Sequence, residues 1–417
     1  MRVVFVNRYY APDHSATSQM LTDLATALAA DGADVHVITS RLRYDDASAA
    51  LPPRERLDGV SVHRVRTSAF GRARLPGRAL DYLSFYVTAS LRLCRLSRRG
   101  DVVVAKTDPP LISVPAGWVA RMRGARSVNW LQDLFPEVAA ELGVGMASGA
   151  SGRILRWLRD GSLRKASANV VLGRLMRARV SALGVDPRRI ATIPNWADGA
   201  ALRPVDREAN PLRREWGLEG RFVVGYSGNM GRVHEFDTIV GAAEALRAQT
   251  SVVFLFIGGG AQAAAIKAAS EGRRLTNLLF RPYQARERLG ESLGAADAHL
   301  VTLRPELEGL VVPSKFYGIA AAGRPTLFVG DPEGEIGTIV REAECGICVR
   351  QGDVAGLASA IVTLRDDPAL RARMNGNARR VFESSYDKRI AVECWRRLLP
   401  EASDGRERAG PKEPPAG

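Results

Sequence analysis

Residues 1–39 read MRVVFVNRYYAPDHSATSQMLTDLATALAADGADVHVIT, and their reading decides the fold. The opening MRVVFVN is a short apolar run, which predicts a buried strand. A loop follows at 8–15. From about 17 to 30 the apolar residues Met20, Leu21, Leu24 and Leu28 recur at the spacing of one helix face. Gly32 ends that helix, and 34–39 reads as a second strand. Strand, helix, strand is a βαβ unit. Working outward, further strands are predicted at 60–66, 101–105, 126–132, 168–172 and 190–193, with helices between them. This alternation predicts a parallel, doubly wound sheet.

The pattern then starts again. PNWAD at 194–198 closes the first half, and a polar stretch with Pro204, Pro211 and Gly220 follows. A strand at 222–226 opens a second series, continued at 252–257, 277–280, 298–303, 325–329 and 346–349. The fold class expected is α/β, with two tandem Rossmann-like doubly wound parallel-sheet domains. A ligand cleft is expected between them, at the carboxyl ends of the strands. The domain limits are placed at 1–204 and 205–386. A last helix at 387–399 is expected to pack back on the first domain, and a polar tail at 401–417 to be disordered.

Charge separates the halves. The net charge is +14, yet residues 1–205 hold 30 Lys and Arg against 17 Asp and Glu, while 206–417 hold 29 against 28. Much of the excess lies at 72–99 and 153–165, where arginines alternate with Leu, Trp, Tyr and Phe. Such stretches read either as an interfacial membrane element or as an Arg-rich solvated helix. Nucleic acid is not expected as a partner, because no helix-turn-helix, zinc-finger or ribonucleoprotein signature is present. No run reaches the length of a membrane span. The N-terminus reads as a strand rather than a signal peptide, so the expected location is cytoplasmic. Four cysteines make no disulfide framework. Cys345 and Cys348 form a single CxxC without the second pair that a zinc site needs, on what reads as a strand and turn.

Three loops carry chemistry. GYSGNMGR at 225–232 follows a strand and precedes a helix, the setting of a phosphate-binding turn. Its candidates are Gly228, Asn229, Gly231 and Arg232, the last as a charge-assisted phosphate contact. GGG at 258–260, centred on Gly259, is a second strand-end turn. EGLVVPSKFYGIAAAGRP at 308–325 puts Glu308, Ser314, Lys315 and Tyr317 on one loop before a small-residue helix. A Lys at a helix start suits a diphosphate, since orphan N–H groups and the helix dipole also favour negative charge there. A nicotinamide enzyme would show its glycine fingerprint in the first βα turn, and residues 7–19 contain no glycine.

Taken together, YYAPDHSATSQ at 9–19, LQDLFPE at 131–137, IPNWAD at 193–198, YSGNMG at 226–231, FIGGG at 256–260 and VPSKFYGIAAAGRP at 312–325 resemble the landmarks of the GT-B glycosyltransferases of the retaining family 4 type. They look most like the transferases that build bacterial capsule, colanic-acid or O-antigen repeats. The resemblance implies a hexosyltransferase with a nucleotide-sugar donor in the second domain, an acceptor in the first, retention of configuration and no cofactor. It departs from the family at two places: Gly318 and Leu310 stand where two glutamates are usual, the first of them holding the ribose.

On that resemblance, the donor is bound by Gly228, Asn229, Gly231, Arg232, Gly259, Ser314, Lys315 and Tyr317, with Glu308 a candidate for the donor sugar hydroxyls. Asp133 orients or deprotonates the acceptor hydroxyl, or else caps the following helix. Asp13, His14 and Asn195 line the acceptor side. No Asp-x-Asp occurs in the chain, so no metal is expected, and Lys315 and Arg232 neutralise the leaving diphosphate. The donor expected is a UDP-sugar of the N-acetylhexosamine type. The acceptor expected is a polyprenyl-diphosphate-linked saccharide, with peripheral contact to the anionic inner face of the membrane. Two other readings remain open: a sugar-nucleotide epimerase and a non-catalytic nucleotide-sugar-binding partner.

Overall fold

The computed structural model describes residues 1–13, 15–43, 51–71 and 75–404. They divide into two compact units. The first holds Met1–Pro194 and the chain from Ala391 onward, and the second Asn195–Ile390.

In the first unit the described strands are β1 (Arg2–Val6), β2 (Asp34–Ser40), β3 (Arg54–Leu57), β4 (Val60–Val65), β5 (Val102–Lys106), β6 (Arg126–Trp130), β7 (Ala168–Val171) and β8 (Ile190–Thr192). They form one sheet in the order β3-β4-β2-β1-β5-β6-β7-β8. All neighbours are parallel except β3, which pairs antiparallel with β4. Every residue of β5 and β7 is buried, as helices on both faces of a parallel sheet require. Strand β3 was not foreseen from the sequence. It is joined to β4 by Asp58-Gly59, both at positive φ, the signature of a two-residue hairpin turn. Its charged Arg54, Glu55 and Arg56 hid it from a hydrophobicity reading, and such charges suit an edge strand that must not recruit another.

In the second unit the described strands are β9 (Phe222–Ser227), β10 (Val252–Ile257), β11 (Leu278–Arg281), β12 (Ala298–Thr302), β13 (Thr326–Val329) and β14 (Gly346–Val349). Their order is β11-β10-β9-β12-β13-β14, all parallel, which is the doubly wound Rossmann order. Val224, Phe254, Leu300 and Leu327 are fully buried at its centre. The single CxxC sits on its edge. Burial pushes the Cys345 thiol up to about 12 and the Cys348 thiol up to about 11, so neither is a thiolate near neutrality.

Two boundaries differ from expectation. The units divide at 194/195 rather than 204/205, because residues after Pro194 bond within the second unit. Ala197 bridges to Asp387, Lys388 pairs with Asp198, and Arg379 donates to the Leu202 carbonyl at 2.8 Å. The last helix runs Lys388–Asp404, so Glu401–Asp404, expected in the disordered tail, are helical. The rest of that tail lies outside the described residues.

From Ala391 this helix belongs to the first unit. Trp395 is fully buried and its ring meets Trp130, at the end of β6, with centroids 4.8 Å apart. On Trp130 lies the amino group of Lys106, 3.6 Å from the ring centroid. Lys106 is buried and its Nζ has no hydrogen-bond partner, so the π face supplies its electrostatic contact. Arg396 adds an ion pair to Asp31 at 2.6 Å. Trp395→Ala is expected to lower stability by about 3–5 kcal/mol, the usual loss for a buried Trp truncation. Urea unfolding followed by circular dichroism measures it, and an unchanged midpoint would show that the helix does not anchor the first unit.

Candidate functional site

In a doubly wound sheet the crossovers leave in opposite directions at one point, and ligands bind outside the strand ends there. In the second unit that point lies between β9 and β12. The turn after β9 touches the turn after β10 backbone to backbone. Met230 N–H donates to the Gly259 carbonyl at 2.7 Å, and Gln262 N–H donates to the Met230 carbonyl at 3.0 Å. Gly258 has φ +123°, and a Cβ on it would overlap the Gly228 carbonyl. Gly228 has φ +120°, and its Cβ would lie 3.0 Å from Cε of Lys315. Glycine at both positions is therefore a steric requirement.

Lys315 begins the helix Lys315–Ala321 after β12. Its Nζ lies 2.9 Å from Nε2 of His234. The other ring nitrogen of His234, Nδ1, is 2.6 Å from the Thr302 carbonyl at the end of β12. A carbonyl only accepts, so Nδ1 carries the proton and Nε2 accepts from Lys315. Burial, then the Lys315 charge, lowers the His234 pKa to about 3, and the imidazole is neutral. Burial lowers Lys315 to about 7, although part of its side chain still reaches solvent. Gln262 Nε2 braces the turn by donating to the carbonyls of Gly231 and His234 at 2.7 and 3.0 Å. Glu235 N–H donates to Thr302 Oγ1 at 3.2 Å. His234 was missed from the sequence. The only signal was its place three residues after Gly231, in the phosphate-turn segment GRVHEF.

The structure brings Gly228, Asn229, Gly231, Gly259 and Lys315 together at these two turns. Asn229 and Arg232 are exposed there. Ser314 precedes the helix and makes no side-chain cap. That helix has only seven residues, so its dipole adds little, and Lys315 is the cationic side chain at its start. Tyr317 does not join the site. It is buried against Phe316 and Tyr386, with ring centroids at 5.6 and 5.1 Å, because it faces inward on the helix. Glu308 is also buried. Its Oε2 accepts from Glu335 N–H at 3.1 Å, so it caps the helix Glu335–Glu342, whose preceding Gly334 leaves no room for a side chain beside the carboxylate.

In the first unit the corresponding point lies between β1 and β5. Arg8 N–H donates to the Asp108 carbonyl at 2.6 Å across it. The loop after β6 joins that after β5, with Gln132 N–H donating to Thr107 Oγ1 at 2.7 Å. Asp133 follows directly. Its Oδ1 is buried without a hydrogen-bond partner, and burial with the nearby Asp108 charge pushes its pKa up to about 7. Its side chain does not cap the helix Glu137–Glu141, whose N-cap residue is Pro136. Asp13 is buried and accepts from Ser15 N–H at 2.8 Å at the entry to the helix Ala16–Ala30. His14 lies outside the described residues. Asn195 is 2 % exposed and falls in the second unit, so in this structure it is a buried residue rather than part of an open surface.

Comparison with known proteins matches this arrangement to one family across both units. Residues 15–196 match the model of a glycosyl transferase 4-like domain, and residues 209–381 match glycosyl transferases group 1. A probable glycosyltransferase, WbjE of Pseudomonas aeruginosa, is 32% identical over 337 residues, which cover 79% of this chain and 82% of that one. A putative colanic acid biosynthesis glycosyl transferase, WcaI of Escherichia coli K12, is 26% identical over 402 residues, covering 93% and 97%. Among solved structures, Anabaena HepE in complex with UDP-glucose superposes with a TM-score of 0.70 at 16% identity, over 96% of this chain and 100% of that one.

Gly228→Ala tests the turn. Its strained φ and the 3.0 Å approach to Lys315 predict a loss of about 1–2 kcal/mol, more than the usual gain from removing a glycine. Urea denaturation reads it, and an unchanged or raised stability would mean that the turn is not held as described.

Proposed function

This chain belongs to the GT-B glycosyltransferases of the family 4 type, and on that premise we propose that it moves a sugar from a UDP-linked donor to a polyprenyl-diphosphate-linked saccharide in surface polysaccharide synthesis. The observation that carries this reading is Lys315, set beside side-chain-free turns at the switch point of the second sheet. Backbone can approach a diphosphate there, and a single amine supplies the charge. Supporting the nucleotide is the UDP-glucose bound by the similarly folded HepE. Supporting the pathway is the colanic acid assignment of WcaI. The same reading takes the sugar to be of the N-acetylhexosamine type.

The chemistry follows from the charges. As the glycosidic bond to the diphosphate breaks, negative charge grows on the leaving oxygen, and positive charge grows on an oxocarbenium-like sugar. Lys315, assisted by Arg232, stabilises the first without a metal, and transfer with retention is the stereochemical outcome we assign. Asp133, with an unpartnered buried oxygen, takes the proton of the acceptor hydroxyl. Glu308 contributes by holding the loop that leads to Lys315.

The lipid-linked acceptor is supported by one face of the first unit. The helix Ser113–Met122 packs between the helices Leu75–Leu96 and Gly149–Lys165. Along the first of these, Leu80, Leu83, Val87 and Leu91 are all exposed on one side. Trp118 is 63% exposed and Trp157 70%. Arg95, Arg98, Arg99, Arg121, Arg123 and Arg153 stand exposed on the same helices and their ends. Among the described residues no helix is long and apolar enough to cross a membrane. Exposed apolar side chains on helices that also expose arginines fit peripheral contact with an anionic bilayer, each cation adding about 1 kcal/mol near the surface.

Three measurements test the reading. UDP is expected to raise the melting temperature by mass action, and equally so in EDTA. Lys315→Ala should remove most of that shift, and stabilisation by none of UDP, GDP or ADP would sink the donor assignment. At saturating donor, Asp133 works only when ionised, so the rate should climb as pH rises through about 7 and then level off. Asp133→Asn should lower the rate about 10²–10⁴-fold and flatten that profile; an unaltered profile removes Asp133 as the base. Flotation with phosphatidylglycerol vesicles should carry the protein at low salt, and the double substitution Trp118→Ser with Trp157→Ser should release it. Equal flotation with neutral vesicles in high salt would contradict the electrostatic part.

A further inference from the structure

We propose that His234 is a positioning residue for the donor diphosphate: as an uncharged acceptor it fixes the Lys315 amine at the switch point without neutralising it. This rests on the reading of the second unit as the nucleotide-sugar site and specifies how that site is kept ready. The geometry is a relay across the switch point. The Thr302 carbonyl ends β12 and accepts from Nδ1 of His234, which comes from the segment after β9. Nε2 then accepts from Lys315, which comes from the helix after β12. One imidazole thus ties both crossovers and fixes the direction of the amine.

The chemical identity of the acceptor matters. A buried amine needs a partner, since an unsatisfied one loses its hydration without return. A carboxylate at this place would satisfy it more strongly. It would also cancel the charge and compete with the incoming phosphates. A water molecule would satisfy it without fixing its direction. A neutral imidazole locked by its other nitrogen gives direction and leaves the full charge for the ligand. The ring is itself held, edge-on to Tyr226 and to Phe236 with centroids at 6.0 and 6.3 Å. Its backbone carbonyl accepts from Gln262.

A consequence is that donor binding takes up a proton. The titratable groups against the amine are His234, at 2.9 Å, and Tyr226, whose ring centroid is 5.1 Å away. Burial holds Lys315 near 7 in the free protein. A diphosphate beside it favours the charged form and raises that value. Below about pH 7 the amine is charged both free and bound, and it adds no pH dependence of its own to the affinity. Above it the free amine is neutral, and affinity falls up to tenfold for each pH unit until the bound value is reached.

The test joins two readouts on the intact chain. Competitive acetylation with acetic anhydride between pH 5 and 10, read by mass spectrometry of the Lys315 peptide, gives the titration of the amine without any nucleotide. Calorimetric titration with UDP at pH 6, 7, 8 and 9 gives the affinity. The wild type should label with a midpoint near 7 and bind UDP progressively more weakly above it. His234→Gln keeps a donor and an acceptor and should stay within about threefold in affinity, with its pH break retained. His234→Leu should weaken UDP about tenfold and shift the labelling midpoint. His234→Glu should raise the midpoint by at least about one unit and weaken UDP further, through competition for the amine. Melting temperatures within a few degrees of wild type separate these effects from unfolding. If the Leu and Glu variants match the wild type in midpoint and affinity, the role of His234 is overturned while the nucleotide reading stands. If the wild type ignores UDP, GDP and ADP alike, the nucleotide reading falls and the proposal falls with it, whatever the labelling gives.

Discussion

Direct backbone contact between two turns holds the second unit's strand ends in place. The turns after β9 and β10 meet through Met230 N–H and the Gly259 carbonyl, and a methyl group at Gly258 would push them apart. Once they meet, Gln262 reaches the carbonyls of Gly231 and His234, and the following segment has a single course. That course brings His234 to Thr302 and to Lys315. The glycines therefore act twice. They let the two turns meet backbone to backbone, and they determine where an imidazole and an amine stand several residues away.

The same topology yields opposite chemistry in the first unit. There the carboxyl ends of β5 and β6 carry Lys106, Asp108 and Asp133 around a buried tryptophan pair. Lys106 is far from its ordinary ionisation, held down by burial and relieved in part by Asp108 and Asp23. Asp133 is displaced the other way, by burial and Asp108. Both groups are kept in conditions that disfavour their charged forms, which weakens the fold near neutrality.

Much of this was legible in the sequence, and the parts that were not have physical reasons. The two Rossmann-like sheets follow from strand-length apolar runs alternating with helical periodicity; the second is parallel throughout as expected, and the first is parallel except at its edge strand β3. The glycine turns were readable because glycine next to a strand end has few other uses. Tyr317 was misjudged because its helix start gives position along the chain but not the direction of the ring, which points into a cluster with Phe316 and Tyr386. The bond that Glu308 accepts was not legible either: its donor, Glu335 N–H, lies 27 residues onward and no local pattern links the two. Strand β3 was hidden by its arginines. His234 escaped because a histidine has no preferred spacing from a phosphate turn; its role exists only through Thr302, which the chain reaches 68 residues later.

Positive charge in this chain is almost entirely arginine: of 59 Lys and Arg residues, six are lysines. Arginine stays protonated at any physiological pH, whereas lysine loses its proton readily once buried. Lys106 and Lys315 are both displaced downward by burial. The exposed arginines of the first unit, such as Arg95, Arg98, Arg121 and Arg123, therefore keep their charge as the medium turns alkaline, while the Lys315 amine of the second unit does not. Surface charge on the first unit and the charge of the buried amine in the second then respond to pH independently within one polypeptide. A mild alkaline excursion would discharge that amine and leave the arginines as they were.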